Sequence, residues 1–87
     1  MSKMPLDKLK PIVLVRWGDA WHHGSRYYTK GDDYEPIEMR TLGFLLEQTD
    51  TVVVLATDNS AEEGGYRKLD SIPVVNIIEI IYIEVEL

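Results

Sequence analysis

Apolar positions along this chain fall into short runs with a two-residue period, separated by turn-forming residues. Ile12-Val-Leu-Val-Arg-Trp17 is β-branched and apolar on both faces, which predicts a strand that is central or covered on both sides. Glu38 to Gln48 predicts a second strand, with Leu42, Phe44 and Leu46 on one face and Met39, Thr41, Gly43, Leu45 and Glu47 on the other. Thr51 to Thr57 is its hairpin partner, and the turn falls at Thr49-Asp50-Thr51. In this antiparallel hairpin, residues 39–57, Leu42, Phe44 and Leu46 are expected to be mostly buried. Gly43 sits mid-strand, where glycine weakens pairing and marks a bend or bulge. A small barrel needs such curvature.

The polar loop Asp58 to Gly65 leads to a short strand over Tyr66–Ser71, broken by Ile72-Pro73. Val74-Val75-Asn76 predicts one 3₁₀ turn. Ile77 to Leu87 predicts the last strand, with Ile77, Ile81, Ile83, Val85 and Leu87 on one face and Ile78, Ile80 and Tyr82 on the other. At the opposite end, residues 4–10 predict a short helix, since Pro5 suits a first helical position and Leu6 and Leu9 fall at helical spacing. Pro11 forces the residue before it into extended backbone.

The connection over residues 18–38 breaks the pattern. It nearly lacks aliphatic residues yet holds Trp21, Tyr27, Tyr28 and Tyr34. A connection this long inside a small domain is usually functional or mobile.

The chain of 87 residues is one domain, and so small a core leaves stability marginal. Cysteine is absent, which excludes disulfides and thiolate metal sites and leaves oligomerisation or a well-packed barrel as reinforcement. Net charge is −6; residues 1–40 hold seven basic and six acidic side chains, residues 41–87 two and nine. An acidic protein lacks the broad phosphate-neutralising surface of most nucleic-acid binders. A local basic patch would have to come from Lys8, Lys10, Arg16, Arg26 and Lys30. The N-terminus lacks the apolar stretch of a signal peptide, and Glu79 and Glu84 interrupt the most apolar run, so neither secretion nor a spanning helix is expected. A cytoplasmic setting is the expectation.

Candidate chemistry is sparse. His22 and His23 are adjacent and point oppositely in extended chain, so they cannot easily share a metal, and exposed loop histidines are the plainer reading. Asp32-Asp33 lacks the spaced carboxylates of a calcium loop, and Gly64-Gly65 has no phosphate-loop lysine after it. No nucleophile stands in a triad context, so neither an enzyme nor a cofactor is expected. The aromatic connection is the best binding candidate: Trp21, Arg26, Tyr27 and Tyr28 could stack on a base and neutralise its phosphate. The competing reading has those aromatics capping an open barrel end. Ile78, Ile80 and Tyr82 are too apolar for a free surface and are candidates for a subunit interface.

The order of strand, long loop, glycine-bent strand, tight turn, strand, loop, Ile-Pro and strand resembles a five-stranded SH3-like or Sm-like barrel. Val15-Arg-Trp-Gly-Asp-Ala20, Thr41-Leu-Gly-Phe-Leu45 with Asp50 and Val52–Thr57, and Ile72-Pro-Val-Val-Asn-Ile77 together resemble small uncharacterised phage-encoded proteins, over roughly residues 12–83. Gly43 and Asp50 resemble the glycine and aspartate of the first Sm motif. The base-contacting asparagine after that aspartate has no counterpart among Val52, Val53 and Val54, and Ile72-Pro73 stands near the place of the second motif's Arg-Gly pair. The resemblance implies an all-β fold and ring assembly. The expected function is therefore non-enzymatic binding by a homo-oligomer. One class is an Sm-like ring holding RNA or a small nucleotide. The other is a phage protein-interaction module, a host-protein binder or small structural component, with Glu47, Asp50, Glu62 and Glu63 as its acidic contact.

Overall fold

The computed structural model describes residues 3–19 and 37–86. Five strands follow one another: β1 (Ile12–Asp19), β2 (Ile37–Gln48), β3 (Val52–Asn59), β4 (Tyr66–Pro73) and β5 (Ile77–Ile83). They form one antiparallel sheet in the order β4-β3-β2-β1-β5. The protein is thus all-β, as its periodicity predicts. Among the described residues β4 and β5 each pair on one side only, so the sheet is open rather than a closed barrel.

The long second strand is shared. Its first part, from Ile37 to Phe44, pairs with β1, and its last part, from Phe44 to Gln48, pairs with β3. Gly43 lies at the hand-over. It is buried, and a Cβ built there would lie 2.7 Å from the Ala56 carbonyl oxygen. The glycine is needed for close approach of two backbones. The bulge falls not at Gly43 but three residues later, at Leu46, where the register shifts between Leu45 and Glu47.

The hairpin turn stands where the sequence places it. The Thr49 hydroxyl accepts from the backbone N–H of Thr51 at 3.2 Å and of Val52 at 3.1 Å, while Thr49 N–H donates to the Val52 carbonyl at 2.9 Å. A short side chain thereby satisfies backbone groups that the tight turn leaves unpaired.

Burial on β2 differs from expectation. Leu42 is 57 % exposed, while Phe44 and Leu46 are half-buried. The core-facing residues are Thr41, Gly43 and Leu45, because Gly43 pairs with fully buried Val13 and Thr41 with fully buried Val15. The core joins Val13, Val15, Val53, Leu55 and Ile72, with Trp17, Leu45, Val74, Ile77 and Ile80 packed against it. The Trp17 indole N–H donates to the Thr41 hydroxyl at 2.9 Å, which satisfies the one polar atom of a large ring.

The expected N-terminal helix is one 3₁₀ turn, Leu6–Lys8, and Leu9 is already extended. Helix nucleation costs more than so short a segment recovers, and Pro11 bars continuation. The 3₁₀ turn Val74–Asn76 forms as predicted and is tied to the hairpin by Val74 N–H donating to the Thr51 carbonyl at 2.9 Å.

Candidate functional site

β5 is built from Ile77-Ile-Glu-Ile-Ile-Tyr-Ile83 and pairs with β1. Its register slips between Arg16 and Trp17, so Trp17 faces Ile77 while Arg16 faces Glu79. The extra residue, Ile78, inverts the alternation the sequence predicts. Ile77 and Ile80 lie together against the core, and Ile81 and Ile83 take the opposite face with Ile12 and Leu14. Of the three predicted interface residues, Ile78 and Tyr82 are 55 % and 60 % exposed, whereas Ile80 is half-buried and serves the core.

Among the described residues nothing pairs with the outer side of β5, an edge carrying one charged residue, Glu79. Apolar open edges are templates for pairing with another chain. β4, the other edge, is more guarded. It carries Arg67, Lys68 and Asp70, ends at Pro73, and holds Lys68 at a φ of 59°, a left-handed conformation that interrupts a flat edge. Leu69 at its centre is 58 % exposed.

Four charged side chains line up across β5, β1 and β2. Arg16 donates to Glu38 through Nε at 3.0 Å and Nη2 at 2.8 Å, and to Glu79 through Nη1 at 2.8 Å. Arg40 Nε adds a bond to Glu38 at 3.1 Å. These bonds hold the Glu38 carboxyl at about 2, well below its ordinary value, chiefly through Arg16 and then Arg40. Arg16 is raised in turn by the hydrogen bonds it donates to Glu38 and then to Glu79. It is therefore committed to two carboxylates and is not a free phosphate ligand, contrary to the basic patch the sequence allows. The pairing was invisible in sequence because its partners lie 22 and 63 residues away.

The predicted binding residues Trp21, Arg26, Tyr27 and Tyr28, with His22 and His23, lie outside the described residues. Their connection starts and ends at the paired residues Asp19 and Ile37, so its two ends stand side by side. Near them the described residues Gly18, Glu38, Val75, Asn76 and Ile78 line a shallow cleft of about 380 Å³. At the far end, Leu6, Leu9, Lys10, Ile12 and Ile83 border a groove of about 190 Å³. There Lys10 N–H donates to the Tyr66 hydroxyl at 2.9 Å, and the Tyr66 ring meets Phe44 edge-on at 5.3 Å. Among the described residues no three His, Cys, Asp or Glu side chains converge as metal ligands, and no helix is long and apolar enough to cross a membrane.

Comparisons with protein families, with curated proteins and with solved structures found nothing that matches this chain.

Proposed function

We propose that this chain is a non-enzymatic, phage-type Sm-like β-domain that forms a homo-oligomeric ring and binds RNA or a small nucleotide through its aromatic connection. The observation that carries the reading is a sheet whose two outer strands pair on one side only among the described residues, one of them strongly apolar. A head-to-tail contact in which β5 of one copy extends β4 of the next would use both edges and close if the rotation suits. A long β2 shared between β1 and β3, with Gly43 at the hand-over, favours an Sm-like or SH3-like unit. The ligand would be met by Trp21, Arg26, Tyr27 and Tyr28, whose segment begins and ends beside the Gly18–Glu38 cleft. Stacking on aromatic faces and a guanidinium on phosphate are the chemistry involved. The setting would be the host cytoplasm, with no cofactor.

A native mass measurement tests the assembly, and a 10 kDa species at micromolar concentration would overturn it. Filter binding of single-stranded RNA and of mononucleotides across salt concentrations tests the ligand. Phosphate-dependent binding should weaken steeply with salt. Trp21→Ala should weaken binding about tenfold, since base stacking on an aromatic is worth roughly 1–3 kcal/mol. No binding at low salt, with lower stability of Trp21→Ala, would instead support the protein-interaction module. The exposed carboxylates of Glu47, Asp50, Glu62 and Glu63 favour that second reading.

A further inference from the structure

The face of the sheet turned away from the core is apolar over three adjacent strands. Pairing fixes its rows across β5, β1 and β2. One row is Ile81, Leu14 and Leu42, the next toward the N-terminal turn is Ile83, Ile12 and Phe44, and the next the other way is Glu79, Arg16 and Arg40. Leu42 is 57 % exposed, Ile81 37 % and Ile83 40 %, while Ile12, Leu14 and Phe44 between them are half-buried. A contiguous exposed apolar patch on a small domain marks an interaction site.

We infer that a second copy of this chain docks on this face, back to back, with a two-fold axis parallel to β1. The charged row selects both the occupant and the axis. A two-fold along β1 keeps each row at its own level and exchanges β5 with β2. Leu14 then meets the partner copy's Leu14, and Ile81 meets its Leu42. Glu79 meets its Arg40, and Arg40 meets its Glu79. A two-fold across the strands would instead lay the charged row on the Ile83-Ile12-Phe44 row and strand it. Among the described residues, the two groups brought together are the ones with capacity to spare. Arg40 holds Glu38 only through Nε and its side chain is 70 % exposed, while Glu79 holds Arg16 through Oε1 and is 49 % exposed. Arg16 would lie near the other Arg16, but each is already neutralised within its own copy by Glu38 and Glu79. Stacked sheets lie about 10 Å apart, a gap that an arginine and a glutamate can bridge from opposite sides. A contact that places one patch on itself is isologous and closed.

This inference deepens the homo-oligomer reading by adding a contact independent of the sheet edges. Its test is a mixing experiment. Arg40→Glu and Glu79→Arg should each weaken the face contact at least tenfold and halve the native mass. Mixed in equal amounts they should reassociate, because one copy's new glutamate then faces the other's new arginine and the opposite corner stays native. Leu42→Lys, at an already exposed position, should halve the mass with the circular dichroism spectrum unchanged. The chain has no cysteine. Leu14→Cys should therefore be joined to its own copy by a bis-maleimide spanning about 10 Å, and Lys68→Cys on β4 should not. Failure of the mixture to reassociate, or a native mass indifferent to Leu42→Lys, overturns the inference. If Ile78→Lys alone dissociates the protein, the edge reading stands and the face contact is refuted. If Leu42→Lys alone does so, the face contact stands without the edge.

Discussion

Gly43→Ala adds one methyl group at the place where β2 passes from one neighbour to the other. The new Cβ would lie 2.7 Å from the Ala56 carbonyl oxygen and 3.3 Å from both the Ala56 carbonyl carbon and the Leu55 Cβ. Two of these atoms belong to the backbone of β3 and the third, the Leu55 Cβ, is fixed to it; the Leu55 and Ala56 side chains are fully buried. They cannot swing aside as the end of a long side chain would. Retreat of β3 would also loosen the pairs Phe44–Ala56 and Leu45–Leu55, which sit at the start of the β2–β3 ladder. Overpacking of this kind costs about 1–3 kcal/mol. Alanine offsets part of it, because it restricts the unfolded chain by about 0.4–1 kcal/mol relative to glycine. The net expectation is a loss of about 1–2 kcal/mol. In a domain of this size each kcal/mol moves the midpoint by about 4–8 °C, so Tm should fall by about 5–15 °C. Gly43→Val should fall further. Thermal melts followed by circular dichroism must be run at one fixed protein concentration, because assembly shifts Tm by mass action. A Gly43→Ala variant as stable as the parent would show that β3 can retreat freely, and the reading of Gly43 as an obligatory close approach would be wrong.

Three further outcomes follow from the same structure. Ile78→Lys and Tyr82→Lys, both at exposed positions of β5, should dissociate an edge-paired oligomer without unfolding it, as read by sedimentation; Ile80→Lys should lower the melting midpoint as well, because Ile80 packs on the core. Thr41→Val removes the acceptor of the Trp17 indole and should cost about 1 kcal/mol in urea denaturation, with an unchanged midpoint counting against the bond. Glu38 is held at about 2 against an ordinary value of 4.5, so its stabilisation is present above the ordinary value and is lost as pH falls through the depressed one. Glu38→Gln should therefore flatten the acid limb of a plot of urea midpoint against pH, and an unaltered limb would mean that Arg16 gains nothing from the charge.

The strands were legible because each is announced by local chemistry. Alternation gives β2 and β3 and Thr49 supplies the turn, while β4 runs two residues past its expected end at Ser71, through buried Ile72 to Pro73. The faces were less legible. A bulge of one residue reverses every side chain beyond it, and among the described residues two such irregularities occur, at Leu46 and at Ile78. Neither residue type signals a bulge. Ile78, Ile80 and Tyr82 therefore read as one stripe in the sequence, while the structure gives Ile80 to the core. Arg16 shows the same limit for charge. Composition counts it among the cations available to a phosphate, but β1 lies between β2 and β5, and both neighbours bring a glutamate to it. Leu42 was misplaced for a related reason. Its face is fixed by its pairing with Leu14, a contact 28 positions away in the chain.

The distribution of burial explains why association would matter to such a domain. The fully buried side chains Val13, Val15, Val53, Leu55 and Ala56, with nearly buried Ile72, come from β1, β3 and β4. β5 contributes only the half-buried Ile77 and Ile80 to that core. Its attachment rests on the ladder to β1 and on the Arg16–Glu79 bond at 2.8 Å, a partly exposed ion pair of the kind that adds little in water. The most apolar strand is thus the least well covered one. Burying its exposed Ile78 and Tyr82 on an edge, or its Ile81 and Ile83 on a face, would stabilise β5 and any assembly together. A chain with no disulfide and so small a core has few other ways to secure that strand.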